Sequence, residues 1–133
     1  MKVFLVDDST IVRERVASML SEHSEIEIIG QAQRVKQAID LIGRLKPDVV
    51  VLDIRLSGGS GIDVLRDIKK LRPTPLVIML TNLPYRQYRQ ECMNAGADFF
   101  FDKSTEFTKL DELFEKLIGE SGGRISTAGE TPT

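Results

Sequence analysis

Val49-Val50-Val51-Leu52-Asp53 is a run of four apolar residues, three of them β-branched, closed by one carboxylate. A short continuous run without polar alternation is what a strand covered on both faces requires. Pro47 stands just before it and disfavours helix in the residue it follows. Val3-Phe4-Leu5-Val6, Ile26-Glu27-Ile28-Ile29, Leu76-Val77-Ile78-Met79-Leu80 and Phe99-Phe100-Phe101 repeat the pattern. Stretches with helical spacing separate these runs. Their stripes are Val12, Val16, Met19, Leu20; Val35, Ala38, Ile39, Ile42, Leu45; Leu65, Ile68, Leu71; Tyr85, Tyr88, Cys92; and Leu110, Leu113, Phe114, Leu117. Pro75 stops the third helix, Pro84 can open the fourth and Gly96 can end it. Five such βα repeats predict an α/β fold: a doubly wound parallel sheet of five strands, helices on both faces, and right-handed crossovers.

The chain has 133 residues, 41% of them hydrophobic, which suits one domain with a real core. Residues 1–118 read as that domain. From Gly119 to Thr133 the composition turns to Gly, Ser and Thr and reads as a flexible tail or linker. The formal net charge is −2 and the basic residues are scattered, so direct nucleic-acid binding is not expected. The densest basic group, Lys69, Lys70 and Arg72, reads as a solvated helix face. The lone Cys92 permits no intrachain disulfide and reads as a buried small residue, and His23 as an exposed one. No apolar run approaches a membrane span, and a cytoplasmic location is expected.

In an open doubly wound sheet, ligands bind beyond the carboxyl ends of the strands. Asp7 and Asp8 follow the first strand, Asp53 the third, Thr81 the fourth, and Asp102 and Lys103 the fifth. Each has a bland reading. Asp8, Ser9 or Thr10 can cap a helix, Thr81 can cap the fourth helix, Asp53 can be a loop residue, and Lys103 can be a solvated lysine. Their convergence points to a shared site. Three gathered carboxylates repel unless a cation or raised pKa values intervene, and oxygen donors alone suit Mg2+. A carboxylate can attack phosphorus, a lysine can neutralise the transferring group, and a threonine hydroxyl can donate to its oxygens. The segment Ser57-Gly58-Gly59-Ser60-Gly61 is rich in glycine but lacks the lysine of a nucleotide-binding P-loop.

With these residues in view the sequence closely resembles the receiver domain of bacterial response regulators. The matching motifs are Leu5-Val6-Asp7-Asp8-Ser9, Val51-Leu52-Asp53-Ile54-Arg55-Leu56 with Gly61, Met79-Leu80-Thr81, Ala95-Gly96-Ala97-Asp98 and Phe101-Asp102-Lys103. The resemblance implies the flavodoxin-like strand order 2-1-3-4-5. It implies that Asp53 is the phosphoacceptor. Asp8 is then a direct Mg2+ ligand, Asp7 acts mainly through water, and the Arg55 main-chain carbonyl is a further ligand. Lys103 pairs with Asp53 and then with the phosphoryl group. Thr81 is the switch hydroxyl and Phe100 the switch aromatic, although plain core packing also suits Phe100.

Three departures from the family pattern bear on behaviour. Ser57 replaces a usual proline four residues after Asp53, which suggests a more flexible loop. Ser104 replaces proline after Lys103, so a cis peptide is not expected there. Arg55 and Leu83 occupy positions that tune dephosphorylation, and Leu83 cannot position a water, so slow hydrolysis is expected. The implied partners are a sensor histidine kinase and either an output protein or a C-terminal output domain, with a phosphorylation-dependent dimer left open. The chain itself is expected to be a phosphoacceptor and not an enzyme. The receiver part of a transcription regulator is favoured over a stand-alone receiver. An aspartate-based phosphohydrolase is the rival, weakened because Arg55 stands where such enzymes place a second acid.

Overall fold

A computed structural model describes residues 1–127 of the chain, with side chains through Glu120. The elements run β1 (Lys2–Val6), α1 (Thr10–Leu20), β2 (Glu27–Ala32), α2 (Val35–Leu45), β3 (Val49–Leu52), β4 (Arg55–Leu56), β5 (Gly59–Ser60), α3 (Gly61–Ile68), β6 (Leu76–Thr81), α4 (Arg86–Asn94), β7 (Phe99–Asp102) and α5 (Phe107–Thr127). The main sheet has five parallel strands in the order β2-β1-β3-β6-β7, which is 2-1-3-4-5 among the long strands. The order reverses at β1, so the carboxyl ends of β1 and β3 flank the crevice where ligands bind in such sheets.

Successive side chains of a strand point to opposite faces. Phe4, Val6, Val50, Leu52, Val77, Met79 and Phe100 therefore pack with residues of α2, α3 and α4. Val3, Leu5, Val49, Val51, Ile78 and Leu80 pack with Val16 and Leu20 of α1 and Leu110, Leu113 and Phe114 of α5. β3 is buried along its whole length, as its unbroken apolar run requires.

Several boundaries differ from the sequence reading. β2 continues to Ala32 through Gly30, which pairs with Phe4 just past a register shift between Val3 and Phe4. A Cβ at Gly30 would lie 2.6 Å from the Phe4 ring, so this glycine is there to admit the ring and does not end the strand. α4 starts at Arg86 with Tyr85 as its cap, so Pro84 precedes the helix and does not open it. Gly96 does end α4, at φ 105°. α5 continues past Ile118 to Thr127, and residues 128–133 of the segment read as a tail lie outside the described residues.

Of the basic group, Lys70 and Arg72 are solvated, but they lie beyond the helix and Lys69 is not a free surface lysine. α3 ends at Ile68, and the Lys69 ammonium donates to the Pro75 carbonyl at 3.0 Å and to Asp98 Oδ2 at 2.7 Å. Asp98 Oδ2 also accepts from the Val77 N–H at 2.8 Å, which ties the end of α3 to the start of β6. The Gly-rich segment after Asp53 is likewise held. Arg55 and Leu56 pair with Ser60 and Gly59, the Ser57 N–H donates to the Gln33 carbonyl at 3.1 Å, and the Val35 N–H donates to the Ser57 carbonyl at 3.2 Å. A proline at 57 has no N–H and could not make the bond to Gln33. Among the described residues the only cis peptide is Arg72–Pro73, so Lys103–Ser104 is trans as expected. No helix among the described residues is long and apolar enough to cross a membrane.

Candidate functional site

The carboxyl ends of β1, β3, β6 and β7 bring Asp7, Asp53, Thr81 and Lys103 together, and these are the buried polar side chains among the described residues. Asp53 follows β3, and its N–H donates to the Val6 carbonyl at 3.0 Å, which fixes it beside the end of β1. Its Oδ1 accepts from the Ile54 N–H at 2.7 Å and its Oδ2 from Lys103 Nζ at 2.8 Å. The two oxygens are thus distinguished, one held by the main chain and one by an ammonium.

Lys103 also reaches Asp7 Oδ2 at 2.7 Å, a contact that sequence alone did not foresee. Asp7 Oδ1 accepts from the Ser9 N–H at 2.9 Å, so both Asp7 oxygens have protein partners. This engagement suits an indirect part for Asp7 in any metal site. Burial pushes the Asp7 carboxyl above the usual carboxylate range, against the hydrogen bonds from Lys103 and Ser9. Burial alone would lower the Lys103 ammonium, but the hydrogen bonds and charges of Asp53 and Asp7 outweigh it and hold its pKa above the ordinary value.

Asp8 is exposed, and an oxygen from each of Asp7, Asp8 and Asp53 lies within 4.8 Å of the others. Three carboxylates and one ammonium leave two formal negative charges (−3 + 1 = −2) in this crevice. Oxygen donors with that excess charge fit a hard divalent cation such as Mg2+. Ser9 is the cap of α1, its Oγ accepting from the Val12 N–H at 3.2 Å, which frees Asp8 from capping.

Thr81 closes β6, fully buried, and is not the cap of α4. Its Oγ1 accepts from the Leu83 N–H at 3.1 Å, and its carbonyl accepts from the Lys103 N–H at 2.9 Å. Phe100 is 5% exposed and faces α4, with the Arg89 guanidinium 4.7 Å from its ring centroid. Phe99 and Phe101 turn to the opposite face and pack toward α5. The strand's alternation thus settles which ring of the triple phenylalanine run adjoins α4. The Arg55 side chain is exposed and Leu83 is half-buried against the α2–α4 core.

The sequence reading missed Arg13. Its guanidinium bonds the Asp7 carbonyl, and it donates to Thr10 Oγ1 and Gln31 Oε1, each at 3.1 Å. It therefore holds the main chain between the two acids. Its position one turn beyond the Ser9 cap was the available clue, because a helix residue four along from the cap lies on the same face.

A family model of the response regulator receiver domain matches residues 3–115. The chain belongs to the response regulator receiver family. Receiver domains are the phosphorylation-dependent switches of two-component signalling and bind Mg2+ at the acidic site. The receiver is 37% identical to a protein-glutamate methylesterase/protein-glutamine glutaminase of Alkalilimnicola ehrlichii, over 98% of its own length and 35% of that protein's. Across five relatives of that name the chain spans 32–35% of their length. It is 36% identical to Protein CcdB of Bacillus subtilis, over 89% of this chain and 98% of that one. The response regulator domain of Thermotoga maritima CheB superposes with a TM-score of 0.78 at 29% identity, covering 90% of this chain and 94% of that one.

Proposed function

We propose that Asp53 accepts a phosphoryl group from a sensor histidine kinase and that Lys103, Thr81 and Phe100 convert this event into a change of surface. The observation that carries the proposal is the Lys103 ammonium, held 2.8 Å from Asp53 Oδ2 in a buried crevice lined by two further acids. Asp53 presents a carboxylate oxygen as nucleophile to phosphorus, and the bond to the donor's leaving atom breaks as the new P–O bond forms. Mg2+ in this site supplies charge neutralisation for the incoming group. Asp8, Asp53 and the Arg55 carbonyl are its proposed ligands, with Asp7 acting through water.

When Asp53 becomes an acyl phosphate, Lys103 keeps its position and donates to phosphoryl oxygens instead. Thr81 turns its hydroxyl from the Leu83 N–H toward the phosphoryl group. The phosphorylated state binds this arrangement better, and that difference is the driving force of the switch. Phe100 lies under α4, so the change reaches the surface of α4, β7 and α5, where Tyr85 is 58% exposed and stands 6.0 Å from Tyr88.

We read the domain as a cytoplasmic phosphoacceptor that governs an effector domain or partner protein and does not itself turn over a metabolite. Phosphorylation-dependent dimerisation through the same surface belongs to this reading. The sequence favoured a transcription regulator as the effector. The methylesterase relatives, of which the chain spans about a third, put a catalytic effector on the same footing. Incubation with acetyl phosphate and Mg2+, followed by intact mass, tests the central step. One phosphate should add to wild type and none to Asp53→Ala. Equal modification of both would overturn the assignment, and steady release of phosphate from simple esters would revive the phosphohydrolase reading.

A further inference from the structure

The turn between α1 and β2 leads into the amino end of β2, at the edge of the sheet opposite the acidic crevice. His23 sits in this turn. Its N–H donates to the Leu20 carbonyl at 3.0 Å and its carbonyl accepts from the Ile26 N–H at 3.1 Å, so its backbone is fixed at the end of α1. The side chain is not free in solvent, as the sequence suggested. It is 18% exposed, and its Nε2 lies 2.8 Å from Asp111 Oδ1 on α5. Asp111 and Glu115 are one helical turn apart on the same face of α5. One ligand atom from each of His23, Asp111 and Glu115 lies within 4.8 Å of the other two. The charges that bear on His23 are those of Asp111 and Glu115 on α5 and Glu25 in its own turn, all acidic. None of these residues takes part in the phosphoacceptor chemistry.

We propose that His23, Asp111 and Glu115 form a surface site for a borderline divalent transition ion, Zn2+ being the ion this donor set suits. One imidazole nitrogen with two carboxylate oxygens selects Zn2+ over Mg2+, which prefers oxygen alone. Bonds of about 2.0–2.2 Å in a tetrahedral shell separate neighbouring ligand atoms by roughly 3.3–3.5 Å. The His23–Asp111 pair has to open from 2.8 Å by about half an ångström, and Glu115 to close inward, both within side-chain motion. Nε2 gives up its contact with Asp111 to the ion, and the imidazole binds neutral with its one proton on Nδ1, any second proton leaving to solvent. Water completes the shell. The bound ion would pin the α1–β2 turn to α5.

Because His23 is the only histidine in the chain, its imidazole resonances report on this site without ambiguity. Zn2+ is titrated into the full chain in the presence of Mg2+, followed by calorimetry and by the His23 ring signals. We expect one site that survives Asp8→Asn, shifts the His23 ring, and weakens at least tenfold in both His23→Ala and Glu115→Gln. Circular dichroism checks that each variant is folded, and exposed Glu115 supplies a substitution that leaves the His23–Asp111 bond in place. Unmoved His23 signals at stoichiometric Zn2+, binding lost only in Asp8→Asn, or full binding in Glu115→Gln would each overturn the proposal.

Discussion

Gly61 stands where a methyl group has no room. A Cβ there would fall 1.8 Å from the Asp53 carbonyl oxygen, 2.8 Å from its carbon and 3.1 Å from Ile54 Cα. The obstruction is main chain, and it belongs to the residue proposed to accept phosphate. Gly61 has an ordinary backbone conformation for an L residue, so the effect of Gly61→Ala is steric. Moving the contact from 1.8 to 3.0 Å requires the start of α3 and the 53–54 peptide to part by about 1.2 Å. That displacement stretches the bond from the Gly61 N–H to the Ile54 carbonyl, now 2.5 Å. Overpacking costs about 1–3 kcal/mol and the strained hydrogen bond about 1, while alanine in a helix recovers about 0.5–1. The expected loss is about 1–3.5 kcal/mol, read as a lower urea midpoint with an unchanged slope. Phosphorylation should suffer more, since a displacement of about 1 Å at a reacting group costs on the order of 100-fold in rate. The initial rate with acetyl phosphate under folded conditions is the measurement. Gly58→Ala is the control: at φ 83° it meets nothing within 4 Å, so it should lose about 1 kcal/mol and keep the phosphorylation rate. Gly61→Ala with wild-type stability and rate would refute the reasoning.

Four further outcomes are expected. Lys103→Met leaves the Asp7 and Asp53 carboxylates buried without their cation, and should cost about 3–5 kcal/mol at neutral pH in EDTA. Asp7 already titrates above its ordinary 3.8, so the penalty should be absent below that pH, grow as pH rises through the folded-state value, and shrink when Mg2+ is added; urea midpoints across pH check this. Arg89→Ala removes a cation–π contact of about 0.5–1 kcal/mol from the inward Phe100 and should tighten beryllofluoride binding about two- to fivefold, whereas an unchanged affinity removes Arg89 from the switch. Burial pushes the Cys92 thiol up to about 11 from its ordinary 9.0, so at pH 8 its reaction with a disulfide reagent should be at least about a hundredfold slower in the folded protein than in urea. Arg55→Asn with Leu83→Glu should speed loss of phosphate from the phosphorylated protein, measured by its decay after acetyl phosphate is removed.

The alternation of β-branched runs with helical stripes determined the sheet, its parallel sense and the strand ends at which polar groups gather. These are local properties: period, branching and punctuation act within a few residues, so a single chain displays them. For the same reason Asp7, Asp53, Thr81 and Lys103 could be chosen by position alone, without knowledge of their contacts. What only the tertiary structure decided is how those groups share bonds. Lys103 divides its ammonium between Asp7 and Asp53, residues 96 and 50 positions away, and no local pattern reports such a division. Gly30 looks like a strand end until the Phe4 ring is packed against it. His23 looks like a surface residue until α5, 88 residues on, brings Asp111 beside it. The Gly-rich loop looks loose until Ser57 meets Gln33 at the start of α2. Long-range partners are set by how helices dock on the sheet. The chain's own pattern therefore specified which end of the sheet carries the chemistry, and docking decided which atoms face one another there.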